Sequence, residues 1–225
     1  MFKAALFDMD GVIVDTEPLH RKAYYKMFKD IDIEVSKDLY SSFTGQSTQN
    51  ICQKLIETFK LPLGAQTLVA LKRDYFKVLF ENDTSLQLLD GVLDLIKDYH
   101  SNEIDMVLAS SATMDNIDRI FDRFNLNQYF IGKISGAELK ASKPNPEIFI
   151  KAAELSNHSP SECIVIEDST NGIEAAHAAN IFCIGYDSFN SKKQDYSKAD
   201  LVISNFKEIS FENMRKLKFL TKSYS

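Results

Sequence analysis

The segment Asp8-Met9-Asp10-Gly11 closes an apolar run, Ala4-Ala5-Leu6-Phe7, and so sets two carboxylates at the end of what reads as a buried strand. Alternation along a strand turns Asp8 and Asp10 to the same side. Like charges placed so repel unless a cation or a shared proton relieves them, which points to a divalent metal and to one carboxyl with a raised pKa. A strand running into a polar turn would show the same letters. The pair also begins a calcium-loop pattern, but the fifth and twelfth positions of such a loop would be Val12 and Leu19, leaving no bidentate carboxylate. The eight glycines form neither the dinucleotide nor the P-loop signature, so any phosphate site must be built another way.

Three further stretches carry suitable groups. Ser110 and Ser111 follow the apolar run Met106 to Ala109 and precede a helical stripe starting near Ile117. Hydroxyls beside free backbone N–H groups near a helix N-terminus can hold a phosphate oxygen, although the same run also suits a simple helix cap. Lys143 lies in Ser142-Lys143-Pro144-Asn145-Pro146, a stiff loop in which the following proline restricts its backbone and Pro146 suits a helix start. An ammonium held there would neutralise charge on a transferring phosphoryl group. Glu167-Asp168 ends the run Ile164 to Ile166 and mirrors the first acid pair, supplying oxygen ligands for magnesium or, alternatively, a helix cap.

The elements that must position these groups follow from periodicity. Continuous apolar runs at residues 4–7, 106–109, 131–134, 163–166, 182–185 and 201–203 predict strands covered on both faces, hence a parallel α/β sheet with helices on each side. Ile117, Ile120, Phe121 and Phe124 mark one helix; Ile148, Ala152 and Leu155 mark another. Between the first strand and Met106, stripes at Tyr24, Met27 and Phe28, at Ile51, Leu55, Ile56 and Phe59, and at Leu68, Leu71, Tyr75 and Leu79 predict an inserted all-helical bundle. The expected division is a core of residues 1–15 and 84–225 with a helical cap over 16–83. A lid is expected, because sites of open α/β sheets lie outside the carboxyl ends of the strands. The charge run Lys72-Arg73 reads as a solvated face.

With 225 residues, 44% apolar and 26% charged, the chain can bury a large core. Its net charge of −6 argues against general nucleic-acid binding. No run approaches the roughly 18 apolar residues that span a bilayer, and no signal-peptide pattern opens the chain, so a cytoplasmic, membrane-free protein is expected. Cys52, Cys163 and Cys183 lack metal-type spacing and read as reduced packing thiols.

Over nearly its whole length the sequence resembles the haloacid dehalogenase-like superfamily. Phe7-Asp8-Met9-Asp10-Gly11-Val12-Ile13, Ser110, Lys143-Pro144 and Val165-Ile166-Glu167-Asp168-Ser169 match its four motifs in order. The resemblance implies a Rossmann-like core with a helical cap inserted after the first motif. It also implies that Asp8 attacks phosphorus and forms an aspartyl-phosphate, while Asp10 protonates the leaving oxygen and then activates the incoming nucleophile. Mg2+ would be held by the Asp8 carboxylate, the Asp10 carbonyl and Asp168, with Glu167 as a further or outer ligand. Ser110, Ser111 and Lys143 would hold the phosphoryl group. Thr16 and His20, at the hinge or cap mouth, would serve the substrate and Asp10.

Asp15-Thr16-Glu17-Pro18-Leu19-His20 and Ala141-Ser142-Lys143-Pro144 resemble the subgroup of β-phosphoglucomutase and small sugar-phosphate phosphatases. A mutase must grip a second phosphate. Thr44 and Thr48 stand where the mutase pattern has lysine and arginine, and Ala112, Thr113 and Met114 where it has serine, lysine and asparagine. Each lost charge-assisted contact costs about 1.5–3 kcal/mol, which makes water the expected acceptor. The expectation is a Mg-dependent phosphatase acting as a monomer on a small phosphorylated metabolite. A phosphomutase, an inorganic pyrophosphatase and a catalytically silent binding protein are the alternatives.

Overall fold

The six apolar runs form six parallel strands: β1 (Ala4–Phe7), β2 (Asp105–Ser110), β3 (Gly132–Ser135), β4 (Cys163–Glu167), β5 (Phe182–Tyr186) and β6 (Leu201–Ile203). The computed structural model describes residues 1–43, 46–187 and 194–217. Spatial order is β3-β2-β1-β4-β5-β6, a Rossmann-like sheet in which the chain steps outward from β1 to β3 and then returns to the far side of β1 with β4. Leu6 pairs with Val107 on one flank and with Val165 on the other, so all three strands reach their carboxyl ends together. That switch from one flank to the other opens a crevice beyond the end of β1.

The chain divides into two compact units, Met1–Asp15 with Gln87–Ser225, and Thr16–Leu86. In the first unit, period-2 alternation sorts the strand residues onto two covered faces. Ala4, Leu6, Val107, Ala109, Val165 and Cys183 pack beneath α7 (Glu147–Ser156) and α8 (Thr170–Ala178) through Phe149, Ala152 and Ile173. Phe7, on the opposite face, meets Tyr99 of α5 (Val92–Ser101) and Phe130, and Phe130 in turn meets Phe121 of α6 (Met114–Arg123). Burying each such side chain is worth about 1.5–3 kcal/mol. Leu155 departs from its expected core position. It is exposed, yet its Cδ2 fills the space that a Cβ on Gly132 would take, so it covers the outer strand rather than the interior.

The second unit holds helices α1 (Glu17–Asp30), α2 (Lys37–Ser41), α3 (Thr48–Phe59) and α4 (Ala65–Asn82). Tyr24, Met27, Phe28, Ile51, Cys52, Leu55 and Leu68 form its core. The fully buried stripe of α4 runs through Leu68, Val69, Lys72, Phe76 and Phe80, while Leu71 and Tyr75 of the expected stripe are partly buried and pack against the same core. Lys72 is the unexpected member. Only 2% exposed, it lays its stem in the core and sets its ammonium 2.6 Å from His20 Nδ1 and over the rings of Tyr24 and Phe76. The solvated face expected for Lys72-Arg73 therefore holds for Arg73 alone. All three cysteines are buried and free, and among the described residues no helix is long and apolar enough to cross a membrane.

Candidate active site

Asp8 follows the last residue of β1, and its backbone N–H donates to Ile166 O at 3.0 Å, continuing the ladder to β4 one step beyond the strand. The residue is 7% exposed. Lys143, from the loop before α7, donates through Nζ to Asp8 Oδ1 at 2.5 Å, to Glu167 Oε1 at 2.7 Å and to Ala109 O at 3.0 Å. Its ammonium also lies 4.8 Å from the centre of the Phe149 ring. One cation thus ties together the ends of β1, β2 and β4, from residues 135, 34 and 24 positions away in sequence. Pro146, expected at a helix start, is the N-cap of α7.

The electrostatics follow from this crowding. Burial pushes the Asp8 carboxyl up to about 7; Lys143 pulls it down, and Glu167 and Asp10 push it up again. Burial alone would lower the Lys143 ammonium, but Asp8 and Glu167 outweigh it and raise its pKa. Lys143 stays charged, one ammonium facing the Asp8 and Glu167 carboxylates.

Glu167 spends its second oxygen on Ser169, accepting from the backbone N–H at 2.8 Å and from Oγ at 2.9 Å. Ser169 in turn caps α8 by accepting from Gly172 N–H at 3.1 Å. Glycine at position 172 leaves room for the Glu167 carboxylate, which a Cβ there would displace. Gly11 plays the equivalent part for Asp168: its φ is +89°, and a Cβ would collide with the Asp168 carboxylate. Asp168 therefore packs against the loop that carries Asp8 and Asp10. Asp10 is half-buried, with its backbone bridged to Val14.

Ser110 is the last residue of β2 and is 1% exposed. Its Oγ accepts from Ala112 N–H at 3.1 Å, which orients the loop ahead of α6. Ser135, at the end of β3, holds that loop from the other side by donating to Ala112 O at 2.8 Å. Sequence reasoning did not single out Ser135 or Gly172, because each acts through a contact made only in the folded chain. Ser111 is exposed on the same loop, and Thr113 and Met114 are the N-cap and first residue of α6. Thr16 is buried and is the N-cap of α1, and His20 stacks on Phe76 with ring centres 4.2 Å apart. Thr48 opens α3 and hydrogen-bonds Tyr24; Thr44 lies outside the described residues.

Among the described residues no three His, Cys, Asp or Glu side chains gather into a ready-made metal cage. The donors available at this edge are the Asp8 and Asp168 carboxylates and the Asp10 carbonyl, with both Glu167 oxygens already engaged. Such a set of hard oxygens fits magnesium, which keeps several waters and takes one or two carboxylates plus the phosphate oxygens of a substrate.

A family model described as haloacid dehalogenase-like hydrolase matches residues 5–186. The chain is 30% identical over 215 residues to β-phosphoglucomutase of Bacillus subtilis, covering 93% of this chain and 92% of that one. It is also 30% identical over 184 residues to a phosphorylated carbohydrates phosphatase of Thermotoga maritima, covering 80% and 82%. Among solved structures, β-phosphoglucomutase of Clostridium difficile superimposes with a TM-score of 0.83 at 29% identity, over 96% of each chain.

Proposed function

Since the chain belongs to the haloacid dehalogenase-like hydrolases, we propose that it is a Mg2+-dependent phosphatase that cleaves a small phosphomonoester of the sugar-phosphate kind through an aspartyl-phosphate on Asp8. The carrying observation is the buried contact of Lys143 with both Asp8 and Glu167 at the carboxyl edge of β1, β2 and β4.

Asp8 attacks phosphorus in line, and Lys143, fixed by Glu167, draws its carboxyl toward the ionised form against the effect of burial and offsets charge on the phosphoryl oxygens. Ser110 donates its O–H to a phosphoryl oxygen while its lone pair holds Ala112 N–H; Ser111 lies on the same loop. Asp10 protonates the departing alcohol oxygen and then accepts a proton from the water that attacks the aspartyl-phosphate, so that alcohol and inorganic phosphate leave and Asp8 is restored. Mg2+ would be held by the Asp8 and Asp168 carboxylates and the Asp10 carbonyl, with Glu167 as a further or outer ligand, and would add positive charge beside the phosphoryl group. Thr16 and His20 are the remaining residues assigned to substrate binding.

A phosphomutase is the second reading, favoured by the 30% identity to β-phosphoglucomutase across 93% of the chain. Against it, Thr48, Ala112, Thr113 and Met114 bring no cation to a second phosphate. Incubation with β-glucose 1-phosphate, a bisphosphate primer and Mg2+ separates the two: inorganic phosphate supports the hydrolase, isomerised sugar phosphate the mutase. Detection of neither released phosphate nor isomerised product from any member of a phosphomonoester panel would overturn both.

A further inference from the structure

The ladder between β4 and β5 ends at Glu167 paired with Gly185; the next two carbonyls, on Asp168 and on Tyr186, which itself pairs with Ile203 of β6, lie one step beyond it. Tyr196 takes both. Its hydroxyl lies 3.2 Å from Asp168 O and 3.2 Å from Tyr186 O, one O–H shared across the opening strands. The ring is built into the sheet: a Cβ on Gly185 would come within 2.7 Å of Tyr196 Cδ1 and 3.2 Å of Ala199 Cβ, so glycine at that strand position makes the room. Two residues earlier, Gln194 Oε1 accepts from Thr170 N–H at 2.8 Å and from Thr170 Oγ1 at 2.9 Å, and Thr170 Oγ1 accepts from Asp195 N–H at 2.8 Å. Asp168 is therefore bracketed. Ser169 and Glu167 fix its chain toward Lys143, while Tyr196 and Gln194 fix the carbonyl of Asp168 itself and the first residue of α8.

We infer that the segment 194–199 is a positioning strap for the cation site, in which Tyr196 and Gln194 hold Asp168 at the distance that the metal requires. The inference rests on the proposed role of Asp168 as a ligand of Mg2+. Neither side chain touches substrate or metal; each acts through the backbone on either side of Asp168. A carboxylate on a loop end must otherwise be ordered when the cation binds, and that ordering weakens binding.

The test is Tyr196→Phe, which keeps the ring against Gly185 and removes only the O–H. Isothermal titration of the whole protein with MgCl2 should show a dissociation constant about three- to tenfold higher than wild type, the scale of one lost hydrogen bond. The Mg2+ concentration that half-saturates hydrolysis of p-nitrophenyl phosphate should rise in parallel, with turnover at saturating Mg2+ within about twofold of wild type. Gln194→Ala should raise the same constant, and Gln194→Glu, which keeps the acceptor for Thr170, should restore it. A Tyr196→Phe protein that melts lower but binds Mg2+ like wild type would overturn the strap and leave the phosphatase reading intact. Wild-type protein that takes up no Mg2+ would overturn both.

Discussion

Lys143 Nζ stands 2.5 Å from Asp8 Oδ1 and 2.7 Å from Glu167 Oε1, so one buried cation faces two buried carboxylates. Removing it leaves like charges stranded in a dry pocket. Lys143→Met should therefore destabilise the protein by about 3–5 kcal/mol in urea unfolding, and Lys143→Arg should not restore activity, since a planar fork cannot replace a point ammonium with three acceptors. A loss below about 1 kcal/mol would show the contact to be a surface-type pair.

Because burial is the largest influence on Asp8, its carboxyl holds a proton up to about pH 7 in the metal-free protein. The folded value lies above the unfolded one, so this group's contribution to stability is complete below about pH 4 and is lost as pH rises through about 7. Mg2+ needs the ionised form. Its affinity, followed by titration calorimetry between pH 5.5 and 8, should fall about tenfold per unit below 7 and level off above. A flat profile would contradict the account.

His20 predicts the opposite sign. Burial first, and then the charge of Lys72, hold its pKa well below 6.5. Below that pH the unfolded chain binds a proton that the folded chain refuses, so stability should fall on acidification by up to about 1.4 kcal/mol per pH unit. Urea midpoints at pH 5.5 and 7.5 for wild type and His20→Gln check this. The variant keeps an acceptor for Lys72 and should lose that part of the slope.

Gly172→Ala tests the Glu167 pocket. In an exposed helix the change stabilises by about 1 kcal/mol, but here the new Cβ meets the Glu167 carboxylate and must push it off Lys143. Lower stability and lower activity are expected together. Gly11→Ala should act similarly on Asp168, with added backbone strain of about 1–2 kcal/mol from its positive φ.

Strands were legible because a sheet covered on both faces demands continuous apolar runs, and each of the six runs became a strand. Motif residues were legible where chemistry sets residue type at a strand end, as with Asp8, Ser110 and Glu167. Less visible was anything decided by tertiary contact. Lys72 looked solvated because its charge outweighed its spacing, four residues from Leu68 and four from Phe76; His20 and the rings of Tyr24 and Phe76, met in the folded chain, accompany its burial. Leu155 fitted a helical stripe but covers the outer strand beside Gly132. Both oxygens of Glu167 are engaged by neighbours 24 and two residues away, and no local pattern announces the first of these.

The most direct measurement is the mass of the Asp8 peptide after rapid quench. Asp10→Asn protein mixed with acetyl phosphate and Mg2+ has a leaving group that needs no proton but lacks the base for hydrolysis, so a phosphorylated Asp8 should accumulate. One phosphoryl group on the peptide containing Asp8, absent from Asp8→Asn protein that has also lost at least about 10³-fold in turnover, is the predicted result. Unmodified Asp8 in a variant that still consumes acetyl phosphate, or Asp8→Asn protein with near wild-type turnover, would contradict it.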